Sequence, residues 1–123
     1  TAGLDPQIRR TLWGIISSIR GAGTTILMTT HYIEEAELLA DRVILLDQGH
    51  ILSRGTPKEL IRRTVAWAVD THGRDGFTTE CFPTREEAAA FMEADKERAL
   101  SSAVRPATLE DSYLRLTGHG IRE

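Results

Sequence analysis

The spacing of apolar residues predicts a helix near the start of the chain, followed by a strand. Asp5 and Pro6 are typical of a helix start, with aspartate as the N-cap and proline as the first helical residue. Apolar side chains recur at helical spacing as far as Arg20, where glycines end the helix. Residues 24–30 are short, β-branched and mostly apolar, which predicts a strand buried on both faces. The apolar face of the helix consists of Ile8, Leu12, Ile15, Ile16 and Ile19.

A second, shorter helix is predicted directly after a turn that holds His31. Apolar side chains recur at helical spacing over residues 33–40, and acidic side chains fill most positions between them. Acidic residues near the first turn stabilise a helix through its dipole. We therefore expect these carboxylates to lie mostly on the outer, solvated face of the helix. They are Glu34, Glu35 and Glu37.

A hairpin and a capped helix are predicted next. Residues 43–47 are typical of a buried strand, and Gln48 with Gly49 predicts a tight turn. Residues 50–53 can then return as the antiparallel partner. Thr56 with Glu59 three residues later predicts a capping box and a helix that ends near Arg63.

From about residue 64 the pattern changes to that of a second unit. Alternation over residues 64–70 predicts a half-buried strand, and residues 77–82 predict its hairpin partner. A capped helix is predicted after Thr84 and a strand over residues 100–104. Thr108 and Asp111 then cap a last helix, which ends at Gly118. Its predicted buried residues are Leu109, Tyr113 and Leu116.

These elements predict a mixed α/β protein in two parts. Residues 1–63 have the pattern of the last portion of a larger sheet with helices, and residues 64–123 that of a small α/β domain. With 123 residues, 41% of them hydrophobic, the chain has room for one modest core or two small ones. A formal net charge of -3 argues against a general nucleic-acid binder.

The single cysteine limits two kinds of chemistry. Cys81 has no partner for an internal disulfide, and no cysteine pair is present to build a zinc site. A small, buried strand residue is therefore the favoured interpretation of Cys81, and a reducing cytoplasm is the compartment that fits best.

Four segments of the first half resemble motifs of the ABC ATPases. Residues 1–6, Thr-Ala-Gly-Leu-Asp-Pro, resemble the D-loop of that family. Residues 29–31, Thr-Thr-His, with the glutamate-rich stretch after them, resemble the H-loop. Residues 46–51 and 55–60 resemble the hairpin and helix that close the ATPase domain. The order and spacing match as well, so the chain resembles the C-terminal portion of an ABC transporter ATP-binding subunit, with the fold of a P-loop NTPase sheet.

The resemblance implies roles for five residues. In the family, the H-loop histidine senses the γ-phosphate of ATP, and the D-loop lies at the interface of two nucleotide-binding domains. An imidazole N–H held at a strand end can stabilise charge on phosphate oxygens. The implied catalytic residue is His31, the implied nucleotide-binding or dimer-interface residues are Ala2, Gly3, Leu4 and Asp5, and no metal site is expected.

Simpler roles remain open for the same residues. An aspartate before a proline is an ordinary N-cap, and Asp5 can cap the helix while its other oxygen faces an interface. Ala2 and Gly3 are also compatible with a plain tight turn. His31 could be an exposed loop histidine or a helix-capping one.

The segments that would hold the nucleotide are missing from the sequence. It contains no G-x-x-x-x-G-K-[ST] loop, whose backbone N–H groups and lysine bind phosphates. The Q-loop, signature and Walker B carboxylates of the family are also absent. We therefore expect the chain to be part of a longer polypeptide, to bind neither ATP nor Mg²⁺ by itself, and to be inactive alone, whereas the full subunit binds both.

The tail indicates a branch of the family. Residues 105–118 resemble the tail of drug- and antibiotic-exporting ABC ATPases, except that Ser112 replaces a commonly apolar residue. The resemblance implies a full subunit that hydrolyses ATP to export a small molecule or drug. Its implied partners are a second nucleotide-binding subunit and a transmembrane permease, which would hold it at the cytoplasmic face of the cell membrane. No nucleic-acid partner is expected.

Two other functions are compatible with the sequence. Residues 64–123 could form a regulatory or dimerisation module without nucleotide chemistry of its own. The chain could also belong to a soluble ABC ATPase that works on ribosomes, although the tail after residue 105 argues against it. Because strands separated from their sheet expose apolar edges, we also expect the chain to self-associate as a dimer or by exchanging elements.

Overall fold

The computed structural model describes residues 3–64 and 66–118. These residues form helices α1 (Pro6–Gly21), α2 (Ile33–Leu39), α3 (Pro57–Thr64), α4 (Arg85–Ala94) and α5 (Leu109–Thr117), and strands β1 (Val43–Asp47), β2 (His50–Gly55), β3 (Trp67–Gly73), β4 (Gly76–Phe82) and β5 (Ala99–Pro106). The strands form two antiparallel sheets, with orders β1-β2 and β4-β3-β5. The predicted mixed α/β class is confirmed.

Helix α1 starts where its capping residue predicts. The backbone N–H of Ile8 donates to Asp5 Oδ1 at 2.8 Å, and Pro6 is the first helical residue. The helix ends at Gly21, one residue past the predicted end. No residue of α1 is buried, and Ile15 on its apolar face is 52% exposed. The apolar face of α1 therefore has little cover from the described residues.

The prediction of a strand over residues 24–30 is wrong. This segment has no regular secondary structure, and the side chain of Leu27 is 95% exposed. A strand needs neighbours to pair its backbone N–H and C=O groups, and a buried one needs side chains on both faces. Neither of the two sheets among the described residues includes this segment, so it lacks such a partner.

The first hairpin forms with its predicted turn. Gln48 and Gly49 both have positive φ, 49° and 79°, as a two-residue type I′ connection requires. The predicted buried strand β1 is present, but it is buried on one face only, because its side chains alternate between buried and exposed. Ile44 is 58% exposed, since the two-stranded sheet is covered on one face only.

The second sheet is built around β3, which pairs with β4 and β5. The predicted hairpin forms with a tight turn, because β3 extends to Gly73 and β4 begins at Gly76. Helix α4 covers one face, where the rings of Phe82 and Phe91 lie 5.1 Å apart between centroids and Ala88 is fully buried. Strand β3 begins at Trp67 rather than at residue 64.

Helix α5 packs into the core of the first half. Leu109 is fully buried and clusters with three residues of β1 and α3, namely Val43, Leu45 and Leu60. The prediction that Leu116 is buried is wrong, because it lies near the end of α5, 39% exposed. Residues from both sides of position 64 therefore share one core, and the division into domains 1–63 and 64–123 stays a prediction.

The caps of α5 agree with the sequence. Thr108 Oγ1 accepts from the backbone N–H of Asp111, and the Asp111 carboxylate accepts from the Thr108 N–H, so the capping box is complete. Gly118 adopts the left-handed conformation, φ 71°, and ends the helix. Ser112, which departs from the family pattern, is fully buried, and its hydroxyl donates to the Leu60 carbonyl at 3.2 Å. That hydrogen bond offsets the cost of burying the hydroxyl.

Candidate functional site

His31 lies in a bend between the irregular segment 24–30 and α2, and its side chain is exposed. The bend is held locally, because the backbone N–H of Tyr32 donates to Thr30 Oγ1 at 3.0 Å. Such a threonine turn fixes the chain direction without a strand. The imidazole is therefore presented to solvent from a locally fixed backbone.

The predicted D-loop residues lie at the start of α1. Gly3 has φ 79°, a left-handed conformation that favours glycine, and a side-chain carbon there would have no heavy atom within 4 Å. Leu4 is 37% exposed, and one oxygen of Asp5 caps α1. Ala2 lies outside the described residues. The described part of this turn is thus compatible with an interface role, and the capping role of Asp5 is present.

Arg9 of α1 contacts the segment that resembles the H-loop. Its guanidinium carbon lies 4.8 Å from the centroid of the Tyr32 ring, which is a cation–π distance. Its Nη1 lies 4.0 Å from Glu34 Oε1, at the limit of an ion pair. Tyr32 directly follows His31, so this contact of Arg9 lies within the segment that resembles the H-loop.

A buried carboxylate forms the second contact between α1 and α2. Glu35 is 1% exposed, and Trp13 Nε1 donates to its Oε2 at 2.7 Å. The expectation that the glutamates of α2 lie mostly outward is therefore wrong for this residue. A carboxylate leaves water only where donors replace the solvent, and Trp13, 22 residues earlier, supplies one.

Glu37 also departs from the outward expectation. Its Oε1 accepts a hydrogen bond of 2.8 Å from the backbone N–H of Leu109, 72 residues away in the chain. Leu109 is the first residue of α5, where the helix has unpaired N–H groups. Of the three glutamates, Glu34 follows the expectation, with a side chain that is 70% exposed.

A third contact joins the ends of the two helices. Arg20 in the last turn of α1 donates to the carbonyl of Leu39 at 2.7 Å and to Asp41 Oδ1 at 3.2 Å. Together with Arg9 and Trp13, it gives α1 a polar edge along which α2 lies. The helices that flank the bend of His31 are thus connected near both ends and in the middle.

The cleft found among the described residues is not lined by His31 or by the D-loop-like residues. An open cleft of about 670 Å³ lies between the β3–β4 turn and the loop after α4, lined among others by Thr71, Arg74, Asp95 and Arg98. No cluster of three or more His, Cys, Asp or Glu residues able to hold a metal occurs within 3–64 and 66–118. Over the same residues, no helix combines the length and apolar character that a membrane crossing needs.

Comparison with known proteins identifies the family. No family model matches the chain. Nod factor export ATP-binding protein I of Cupriavidus metallidurans is 36% identical to it over an alignment that covers all of this chain and 46% of that protein. The proteins of the same name from Ralstonia nicotianae and Rhizobium meliloti are 34% and 33% identical, again over the whole chain, with 46% and 42% of their own lengths covered. The chain belongs to the ABC transporter ATP-binding proteins.

The ABC resemblance inferred from the motifs is thereby confirmed, and the chain corresponds to a C-terminal portion of such a protein. It spans about half the length of the curated relatives it matches. The roles assigned to His31, Gly3, Leu4 and Asp5, and to Ala2 outside the described residues, stay predictions.

An ion-pair network holds the tail of this ABC protein in place. Arg105 on β5 donates from Nε to Asp70 Oδ2 and from Nη1 to Asp111 Oδ2, both at 2.7 Å. Hydrogen bonds to Asp111 and Asp70 raise the pKa of Arg105 above its ordinary value. Burial alone would raise the pKa of Asp111, but hydrogen bonds from Arg105 and Thr108 outweigh it and hold that pKa below the ordinary carboxyl value. This network joins β3, β5 and α5.

Cys81 lies half-buried on β4, near the same network. Burial, with a smaller contribution from the Asp111 carboxylate, raises the pKa of its thiol to about 11. The thiol is therefore protonated at neutral pH and is a poor nucleophile. A small strand residue is the role that the structure supports.

The sequence did not predict the contacts that four residues make around α2, namely Arg9, Trp13, Arg20 and Glu37. Arg9, Trp13 and Arg20 recur along one edge of α1, but the apolar stripe beside them is the stronger periodic signal. Glu37 sits among acidic residues that are typical of a solvated helix face. The spacing of Arg9, Trp13 and Arg20 was the available signal, because it places them on one side of a helix.

Proposed function

We propose that the complete protein containing this chain is the ATP-hydrolysing subunit of an ABC transporter, and that His31 contacts the γ-phosphate. The observation that carries the proposal is the placement of His31. Its exposed ring follows a threonine-held turn, and Arg9 from the start of α1 contacts the next residue, Tyr32. The segment that resembles the H-loop thus lies beside the helix that the D-loop-like residues begin.

The chemistry of this placement is electrostatic. During phosphoryl transfer, negative charge spreads over the γ-phosphate oxygens, and a pre-positioned donor stabilises it without reorganisation. An imidazole retains an N–H in either protonation state, so His31 can donate near neutral pH. Asp5 uses one oxygen to cap α1, and its other oxygen, with Gly3 and Leu4, is free in this proposal for an interface with a second nucleotide-binding subunit.

ATP and Mg²⁺ belong to the complete subunit in this proposal. The sequence has no phosphate-binding P-loop, and within 3–64 and 66–118 no acidic cluster could hold a metal ion. The described residues of the chain therefore do not fit a magnesium site by themselves. Calorimetry with Mg-ATP is expected to detect no binding by the isolated chain, and tight binding would contradict this part of the proposal.

The transport role follows from the family. We propose that hydrolysis drives export of a small molecule or drug through a transmembrane permease, with the subunit at the cytoplasmic face of the membrane. The relatives are named for Nod factor export, and an export function of those proteins supports this proposal. No nucleic-acid partner is proposed, in keeping with the net charge of -3.

The deciding experiment is His31→Ala in the complete subunit. Loss of one preorganised donor to the transferring phosphate is expected to lower kcat by about 100-fold while changing ATP affinity far less. The matched control is His50→Ala, which removes an exposed histidine from β2. Steady-state ATPase rates and equilibrium ATP binding give both quantities. Unchanged turnover in His31→Ala would contradict the proposal.

A second candidate role is self-association through a regulatory or dimerisation module. The proposed module is residues 64–123, and it is favoured by the exposure of large apolar side chains there, including Phe77 at 65% and Leu100 at 66%. We expect the isolated chain to sediment as a dimer or to exchange elements between copies. Sedimentation as a monomer at high concentration would defeat this expectation.

A further inference from the structure

Helix α2, which begins two residues after His31, is held from two sides. On one side Trp13 of α1 donates to the buried Glu35. On the other side Glu37 accepts from the backbone N–H of Leu109 in α5. Two carboxylates, two residues apart in one short helix, therefore connect it to two different parts of the molecule.

Glu37 contacts the backbone N–H of a residue that is anchored in the hydrophobic core. Leu109 is fully buried in the core with Val43, Leu45 and Leu60, and its N–H has no acceptor within its own helix. A carboxylate at a helix N-terminus is favoured both by the charge-assisted hydrogen bond and by the helix dipole. The hydrogen bond is also partly buried, so water competes for it weakly.

The placement of α2 determines the placement of His31, because the two are almost adjacent in the chain. Only Tyr32 separates His31 from the first residue of α2, and Tyr32 is also the N-cap residue of that helix. The helix has no side-chain N-cap hydrogen bond and spans 7 residues, so its own backbone gives limited rigidity. Its placement therefore depends on contacts to other elements. These are the contacts of Glu35 and Glu37, the bond from Arg20 to the Leu39 carbonyl, and the packing of Ile33 and Ala36 against the core.

We propose that Glu37 is a positioning residue for His31, which it fixes by holding α2 against the N-terminus of α5. The β4-β3-β5 sheet and α5 thereby control the geometry of the phosphate-contacting histidine, through Arg105 and Asp111 on one side of α5 and Glu37 on the other. The proposal rests on the proposed function of His31. It assigns the second half of the chain a role in turnover without any contact to nucleotide.

The kinetic test uses the complete subunit. Glu37→Ala is expected to lower kcat on the order of 10-fold, because small misplacements of a catalytic group are costly, with KM for ATP changed less than about two-fold. Glu37→Gln keeps an oxygen acceptor for Leu109 N–H and is expected to restore most of the lost kcat. Glu110→Ala is the matched control, since Glu110 is an exposed carboxylate in the first turn of the same α5. Equal kcat in Glu37→Ala and the parent would overturn the proposal.

A spectroscopic test separates this proposal from the proposed function. In histidine-labelled protein, Glu37→Ala is expected to shift or broaden the imidazole signal of His31 and to leave those of His50 and His72 unchanged. If Glu37→Ala lowers the unfolding midpoint but leaves the His31 signal unchanged, Glu37 is structural only and the proposal fails. If His31→Ala leaves turnover intact, the proposed function fails, while the His31 signal still decides whether Glu37 positions the ring.

Discussion

The two faces of α2 contact regions that are built differently. Helix α1 buries none of its residues and meets α2 through polar contacts of Arg9, Trp13 and Arg20. Helix α5 buries Leu109 and Ser112 completely and joins the hydrophobic core. Local opening costs least where few apolar side chains are buried. The contacts of α2 with α1 are therefore expected to open more readily than those with α5. We call them the loose side and the firm side of α2, and the bend of His31, the predicted catalytic residue, directly precedes α2.

The largest effect is expected from the apolar contact of the firm side. Leu109→Ala removes a fully buried side chain from the cluster with Val43, Leu45 and Leu60. The lost transfer free energy and the cavity left behind are expected to lower the free energy of unfolding by about 2–5 kcal/mol. Chemical denaturation measures this change. The contrasting substitution is Ile15→Ala on α1, which is 52% exposed and should cost far less.

Equal losses in Leu109→Ala and Ile15→Ala would break the comparison. They would mean that α1 is buried in solution, for example against another chain.

A smaller loss is expected from the ion-pair network. Arg105→Ala leaves the carboxylates of Asp70 and Asp111 facing each other without their shared cation, and Asp111 has a side chain only 7% exposed. Because Arg105 is itself 33% exposed, we expect a loss of about 2–3 kcal/mol, less than for a fully buried pair. Arg105→Lys keeps the charge but loses the forked geometry of the guanidinium. It should therefore recover part of the free energy of unfolding that Arg105→Ala loses.

The same network predicts a pH dependence with a definite sign. The folded-state pKa of Asp111 lies below its ordinary value of 3.8, so the ionised carboxylate stabilises the fold above that value. The stabilisation is lost as pH falls below 3.8 towards the folded-state pKa. Acid unfolding monitored by circular dichroism should therefore begin at higher pH in Arg105→Ala than in the parent. An unchanged acid midpoint would show that the network does not contribute.

The sequence predicted local features well, because both partners lie within a few residues. Thr84 and Thr108 accept from backbone N–H groups three residues ahead, and Gly118 ends α5 in the left-handed conformation. The type I′ turn at Gln48 and Gly49 follows from the same kind of local signal. Caps and turns depend on short-range geometry that residue types reveal.

Contacts between distant segments could not be predicted in the same way. The partners of Glu35 and Glu37 lie 22 and 72 residues away, and periodicity does not say which polar residue meets a buried donor. The run 24–30 has the composition of a buried strand, but it forms none without a neighbour to pair with. For the candidate site, the sequence indicated His31 and Asp5 through family motifs. It did not predict that Arg9 contacts Tyr32 beside the bend or that Trp13 and Glu37 hold α2.

The smallest of these effects concerns the loose side. Trp13→Phe keeps an aromatic ring but removes the N–H that donates to Glu35 Oε2 at 2.7 Å. Leaving a carboxylate that is 1% exposed with one donor fewer is expected to cost about 1–3 kcal/mol locally. Because α1 buries no residue, the loss should appear as faster amide exchange in α1 and α2 rather than in α5.

A double-mutant cycle sharpens this prediction. Glu35→Gln keeps the shape and an acceptor oxygen but removes the charge that strengthens the bond from Trp13. If the two side chains act on each other, the Trp13→Phe, Glu35→Gln double variant should lose less protection than the sum of the single variants. Additive losses would mean that each residue stabilises the helices through other contacts. In that case the α1 side would be held mainly by Arg9 and Arg20, at the two ends of the helix pair, and the middle of α2 mainly by α5 and the hydrophobic core.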